Sequence, residues 1–173
     1  MSTGPRSFRL AYVGLGSNVD PAHHLAMALE QLGRQFGGLE CSPVCRSPAA
    51  GYTGPDYWNL CVAFETALPA RALKTCLKQI EQCLGREPDE PRHMPKILDA
   101  DLLLLGDETA AEPPLPHPEI LTRAYVLGPL AMLVPDLRLP GSSVRLGDLW
   151  RRFEGRDTLR VLVPAPFSCP RSR

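Results

Sequence analysis

The chain has 173 residues, 44% hydrophobic and 22% charged, with 19 Lys and Arg against 19 Asp and Glu. That length suits one domain able to bury about 70% of its unfolded surface without disulfides or structural metal. The neutral balance excludes a global field that would draw the chain to nucleic acid or to an anionic membrane. No stretch approaches the roughly 18 apolar residues of a membrane span. Residues 1–9 contain no apolar signal core, and a soluble cytoplasmic protein is the expectation. The six cysteines, at 41, 45, 61, 76, 83 and 169, include no Cys-x-x-Cys, and four fall in segments whose apolar spacing explains them as small core residues. They read as free thiols of a reducing compartment.

In chain order, residues 8–15 read as an apolar first strand. Gly16-Ser17-Asn18 is then expected to turn into a helix with Asp20 as N-cap and Pro21 at the first helical position. Leu25, Leu29, Leu32 and Phe36 recur at helical spacing, and Gly37-Gly38 stops the helix. A second strand over 39–46 contains Pro43, which predicts an edge position or a bulge. A loop over 47–56 leads to a third strand over 57–66, whose alternation puts Trp58, Leu60, Val62 and Phe64 on one face and Tyr57, Asn59, Cys61 and Ala63 on the other. The second helix starts near Pro69, buries Leu73, Cys76, Leu77, Ile80, Cys83 and Leu84, and ends at Gly85.

A polar loop over 86–96 precedes an apolar strand over 97–105, followed by a proline-rich loop over 106–118. A helix over 123–133, a shorter one over 146–153 and a strand over 159–163 complete a single domain at 1–163, and the proline-rich tail 164–173 is expected to fray. Strand, helix, strand, strand, helix, strand is the pattern of an α+β, ferredoxin-like βαββαβ core, here with additional C-terminal helices and a strand. Helices of that fold cover one sheet face, which leaves the other for a ligand.

Two acids interrupt the apolar strand, in Ile97-Leu98-Asp99-Ala100-Asp101-Leu102. Strand alternation projects Asp99 and Asp101 from the same face, roughly 7 Å apart. Magnesium uses one or two protein carboxylates and takes its other ligands from water and phosphate, so one such pair can suffice for phosphate chemistry. An isolated Asp-x-Asp is nonetheless more often a solvated strand face. There is no Gly-x-x-x-x-Gly-Lys-Ser/Thr phosphate loop, and Gly14-Leu15-Gly16 lacks the third glycine of a dinucleotide fingerprint.

Several segments in fixed order reverse that preference: Gly14-Leu15-Gly16-Ser17-Asn18, Ser47-Pro48, Pro55-Asp56-Tyr57-Trp58-Asn59, Ile80-Glu81, Gly85-Arg86, Leu98-Asp99-Ala100-Asp101, Pro116-His117-Pro118 and Arg123-Ala124-Tyr125-Val126-Leu127-Gly128-Pro129-Leu130. Over residues 10–153 the chain resembles the 6-hydroxymethyl-7,8-dihydropterin pyrophosphokinase family of folate biosynthesis. The resemblance implies a ferredoxin-like enzyme that transfers pyrophosphate from ATP to the hydroxymethyl group of the pterin and releases AMP, with two magnesium ions between the substrates.

It further implies that Asp99 and Asp101 ligate metal and, with Arg92 and Lys96, form the catalytic group. Glu81, Arg86, Lys96, His117 and Arg123 become ATP contacts, and Gly14, Ser47, Ala50, Tyr57, Asn59 and Tyr125 pterin contacts. Singly, each has a plainer reading. Glu81 suits a helix-surface pair with Lys74 or Lys78, Arg86 a C-terminal helix charge, His117 a loop residue, and the tyrosines core packing. The expected partners are a pterin and ATP, with no nucleic acid and no membrane, and the expected state is a monomer.

The departures from the family fall near the phosphates. Arg92-His93-Met94-Pro95-Lys96 stands where the family usually has Arg-Trp-Gly-Pro-Arg, and Pro88, flanked by Glu87, Asp89 and Glu90, replaces a second basic position. Lysine keeps the charge of arginine and loses its bidentate fork. The alternative reading is therefore a divergent paralogue that binds a pterin, or uses a different one, with weak or no pyrophosphoryl transfer. An RNA-binding ferredoxin-like domain is disfavoured, because no aromatic-basic strand pair is present.

Overall fold

A computed structural model describes residues 7–89, 91, 94–165 and 167–169. The first strand, β1 (Arg9–Ser17), leads to α1 (Pro21–Phe36), then the short β2 (Glu40–Cys41) and β3 (Cys45–Ser47), β4 (Tyr57–Thr66), α2 (Ala70–Cys83) and β5 (Asp99–Leu105). The loop after β5 holds a two-residue hairpin, β6 (Ala110–Ala111) and β7 (Pro114–Leu115), and a 3₁₀ turn (Pro118–Leu121). After it come α3 (Ala124–Leu133), α4 (Leu146–Arg152) and β8 (Arg160–Val161).

The main sheet runs β5-β1-β4-β3-β8, with β2 also pairing β4. Counting β2 and β3 as one interrupted strand, the antiparallel order is fourth, first, third, second, as a βαββαβ ferredoxin-like core requires. Ser42 and Pro43 break that strand as the proline predicted, because Pro43 has no N–H for the ladder. The Ser42 hydroxyl instead accepts from the Cys61 N–H at 2.9 Å, satisfying the group the break would orphan.

The strands carry two apolar clusters on opposite faces. Val13, Leu15, Leu60, Val62, Phe64, Ala100, Leu102 and Leu105 pack with Leu25, Leu29 and Leu32 of α1 and Leu73, Leu77 and Ile80 of α2. On the other face Tyr12, Cys61, Ala63, Leu103 and Leu104 pack with Leu127, Leu130 and Ala131 of α3 and with Ile120. Leu103 and Leu104 are consecutive yet share a face, because the β1–β5 register shifts between Tyr12 and Val13. A bulge of this kind changes the phase of alternation.

Several expectations are corrected. Gly16 and Ser17 belong to β1 rather than to a turn. Asp20 occupies the N-cap position of α1 but its side chain does not cap, since its backbone is left-handed at φ 41. Not every cysteine is a free thiol: Cys41 and Cys169 form a disulfide, with Cα atoms 5.9 Å apart across 128 residues of sequence. The described part of the tail explains this, because Phe167 and Cys169 pack on the cluster backed by α1 and α2. Cys45, Cys61 and Cys76 are free and buried, and Cys83 is free and exposed. Among the described residues no helix is long and apolar enough to cross a membrane.

Candidate active site

The helix α3 covers only part of its sheet face, and the uncovered part floors a cavity of about 680 Å³. Directly opposed residues of antiparallel strands share a face, and the register aligns Asp101, Gly14 and Cys61 in one row and Asp99, Gly16 and Asn59 in the next. Each acid therefore faces a glycine on the central strand, so no side chain rises between the carboxylates and β4. Gly16 is needed for a second reason: a Cβ there would meet Asn59 Oδ1 at 3.0 Å.

Asn59 is buried, and its Nδ2 donates to Ser47 Oγ at 3.0 Å, which fixes the amide toward β3. Tyr57 lies one strand period further out, paired with Ser47, and Tyr125 sits in the first turn of α3. Gly14, Ser47, Ala50, Tyr57, Asn59 and Tyr125, the expected pterin group, all line the cavity. Burial raises the Tyr57 hydroxyl pKa, and its bond to Tyr52 adds to the effect, so Tyr57 stays a neutral donor. Burial likewise raises Tyr125.

Arg86, Lys96, Asp99, Asp101, His117 and Arg123 line the same cavity. Burial in the floor, and then the charge of Asp99, push the Asp101 carboxyl up to about 7. A cation beside Asp101 would favour its charged form. Arg86 Nη1 lies 2.6 Å from Asp99 Oδ1 and 2.9 Å from Glu81 Oε1, and it also donates to Leu98 O at 3.0 Å. The Asp99 side chain nevertheless keeps 42% of its surface exposed, enough to receive a further ligand.

His117 starts the 3₁₀ turn, with Nδ1 accepting from the Glu119 N–H at 3.3 Å, and burial lowers its pKa so that the ring is neutral near pH 7. Lys96 bonds Pro91 O through its ammonium at 3.2 Å, and its backbone pairs with Asn18. Among the described residues no group of three or more His, Cys, Asp or Glu side chains can hold a metal by itself. The acidic pair thus fits a hard cation that completes its shell with water and phosphate.

Glu81 departs from expectation. It does not line the cavity; it is 2% exposed, and its Oε1 accepts from the Ala100 N–H at 2.7 Å. Burial raises its pKa, while Lys78 and Arg86 favour the charge. Its observed contacts hold β5 and Arg86. The expectations for Arg92 and His93 fall outside the described residues. Sequence reasoning passed over Tyr52 and Glu119, which line the cavity. Tyr52 belongs to an irregular loop with no periodicity to expose it, whereas Glu119, two residues after His117, was within reach of the Pro-His-Pro signal.

A sequence model of the 7,8-dihydro-6-hydroxymethylpterin-pyrophosphokinase (HPPK) family matches residues 12–135. The chain is similar to a 2-amino-4-hydroxy-6-hydroxymethyldihydropteridine pyrophosphokinase of Synechocystis sp., at 38% identity over 145 residues covering 80% of this chain and 73% of the relative. It is similar to proteins of the same name from Methylorubrum extorquens, at 41% over 145 residues (78% of this chain, 89% of the relative), and Pseudomonas aeruginosa, at 35% over 162 residues (90% and 91%).

Among solved structures, a Plasmodium falciparum HPPK-DHPS triple mutant with SDX-DHP matches with TM-score 0.74 at 13% identity, over 92% of this chain and 48% of that one. That likeness supports the fold alone, and the chain spans about half the length of the Plasmodium protein. A family match over residues 12–135, relatives 35 to 41% identical along most of their length, and the cavity at the open sheet face lead to one conclusion: the chain belongs to the 7,8-dihydro-6-hydroxymethylpterin-pyrophosphokinase family.

Proposed function

We propose that the chain transfers pyrophosphate from ATP to the hydroxymethyl group of 6-hydroxymethyl-7,8-dihydropterin. The observation that carries the reading is the composition of one cavity, lined together by the aromatic and amide side chains of Tyr57, Asn59 and Tyr125, the cationic Arg86, Lys96 and Arg123, and the acidic pair Asp99 and Asp101. The hydroxymethyl oxygen bonds to the β-phosphorus of ATP, the bond from that phosphorus to the α-phosphate oxygen breaks, AMP leaves, and the hydroxyl proton is released. No side chain forms a covalent intermediate, so rate comes from alignment and electrostatic stabilisation.

Asn59, held by Ser47, reads the donor and acceptor edge of a flat heterocycle, and Tyr57 and Tyr125 supply faces for stacking. Asp99 and Asp101 would hold magnesium, which when bound neutralises the triphosphate and polarises the group in transfer. Arg86 orients Asp99 and places its positive charge on the phosphate side, and Lys96, Arg123 and neutral His117 add cationic and hydrogen-bonding contacts. Arg92 is assigned to the same phosphates by resemblance. We further propose a single catalytic domain that acts as a cytoplasmic monomer on a pterin and ATP, without nucleic acid or membrane. Neither cysteine of the disulfide lines the cavity.

The test is product identity: incubation with 6-hydroxymethyl-7,8-dihydropterin and MgATP yields AMP and the pterin diphosphate, and absence of AMP across substrate concentrations overturns the reading. Lys96 and Pro88 at positions where the family usually carries arginine favour the second reading, a pterin-binding paralogue with weak transfer. Calorimetric binding of the pterin without magnesium-dependent ATP binding would select it.

A further inference from the structure

Asn18, just past the end of β1, is 5% exposed, and every polar group of its side chain is engaged. Its Oδ1 accepts from the Lys96 N–H at 2.6 Å, and its Nδ2 donates to Pro55 O at 3.0 Å and to Tyr52 Oη at 2.8 Å. The first partner is only a donor and the second only an acceptor, so the amide has one possible orientation. Because Tyr52 accepts from Asn18, its own proton is free to point elsewhere, and it points to Tyr57 Oη at 3.4 Å. Tyr57 in turn donates to Met94 O, also at 3.4 Å.

The result is a one-directional chain of donors from Asn18 through Tyr52 and Tyr57 to Met94. It joins the loop over 48–56 to the backbone at Met94 through the Tyr52 and Tyr57 phenols, and Asn18 ties the same loop to the Lys96 backbone both through Tyr52 and directly through Pro55 O. The Tyr52 ring is itself held: a Cβ on Gly54 would lie 2.3 Å from its Cε2, so only glycine there admits the ring in this place.

We propose that Tyr52 is a positioning residue that sets the ring of Tyr57 on the pterin side while bracing the Lys96 segment on the phosphate side. The pterin half of this statement rests on the function proposed above; the bracing half does not. Tyr52 acts through Tyr57 and Asn18, and the last two bonds of the chain, Tyr52 to Tyr57 and Tyr57 to Met94, are long at 3.4 Å, so the effects are modest and selective.

Tyr52→Phe removes one oxygen and keeps the ring. In that variant the KM for the pterin rises about 3- to 10-fold with kcat changed less than about twofold, and amide hydrogen exchange at Lys96 accelerates about 3- to 10-fold. Gly54→Ala, whose Cβ would displace the ring by direct contact, moves both readouts in the same direction. Tyr57→Phe, which keeps the stacking face, breaks the same chain one link later, so the double variant Tyr52→Phe/Tyr57→Phe is no worse than the more affected single variant.

A wild-type pterin KM or wild-type Lys96 exchange in Tyr52→Phe overturns the proposal, as does multiplication of the two single effects in the double variant. Should the wild-type chain make no AMP, the proposed function fails on its own. Exchange at Lys96, which needs no substrate, then decides the role of Tyr52.

Discussion

The two ends of the sheet face that α3 partly covers are built from the same three strands, yet one end is core and the other is site. Under α3 the strands present Tyr12 from β1, Cys61 and Ala63 from β4, and Leu103 and Leu104 from β5. One or two residues along, the same strands present Gly14 and Gly16, Asn59 and Tyr57, and Asp101 and Asp99 to the cavity. The covered end gains free energy by removing apolar surface from water. The open end gives some back, because it recesses two acids that repel one another. Sheet geometry is continuous across both, so position is inherited from the rigid covered end and chemistry is added at the open one.

The largest effect expected from disturbing this contrast is at the acids. Asp99→Ala or Asp101→Ala lowers kcat/KM by at least about 10³ with the circular dichroism spectrum unchanged, since a site for a cation is lost while the strand is kept. Near-normal turnover in both variants refutes the metal role. The converse change is at the covered end: Leu130→Ala costs about 2 to 5 kcal/mol of stability in denaturant unfolding, while kcat/KM of the folded fraction stays within a few-fold of wild type. A large loss of kcat/KM without a loss of stability would erase the division between the two ends.

Asp101 tests the cost of function directly. In the metal-free protein its carboxyl titrates at about 7, above its ordinary 3.8, so ionisation favours the unfolded chain. The penalty is absent below pH 3.8, grows as pH rises, and is complete above about 7. Asp101→Asn therefore unfolds at higher denaturant than wild type at pH 8, by of order 2 to 4 kcal/mol, and the difference shrinks toward pH 4. A variant less stable at pH 8 contradicts the uncompensated charge. The smallest effect is at Lys96: Lys96→Arg restores a bidentate fork beside the phosphates and raises kcat about 3- to 10-fold. An unchanged or lower kcat in a steady-state assay would mean that the chain has adapted to lysine.

Much of this architecture was legible in local pattern. Period-2 alternation placed Tyr57 and Asn59 opposite Leu60 and Val62, helical spacing found α1 and α2, and Pro43 announced the break between β2 and β3. Alternation failed at Leu102 to Leu105, where four leucines carry no phase and a bulge turns Leu103 and Leu104 to one face. The Cys41–Cys169 disulfide was illegible too, because it joins residues 128 positions apart. Glu81 has the composition of a surface helix acid, and only the approach of β5 to α2 turns it into a buried support for Ala100 and Arg86.

By itself, the order of apolar residues determined the elements, and the Asp-x-Asp determined that two carboxylates would share a strand face, since both follow from backbone geometry within a few residues. Tertiary structure decided what those carboxylates face. Sheet order brings the glycines of β1 opposite them, lays Asn59 beyond the glycines, and lets a phenol from an irregular loop reach Tyr57. Such contacts depend on the packing of elements distant in sequence, a property to which no local periodicity is sensitive.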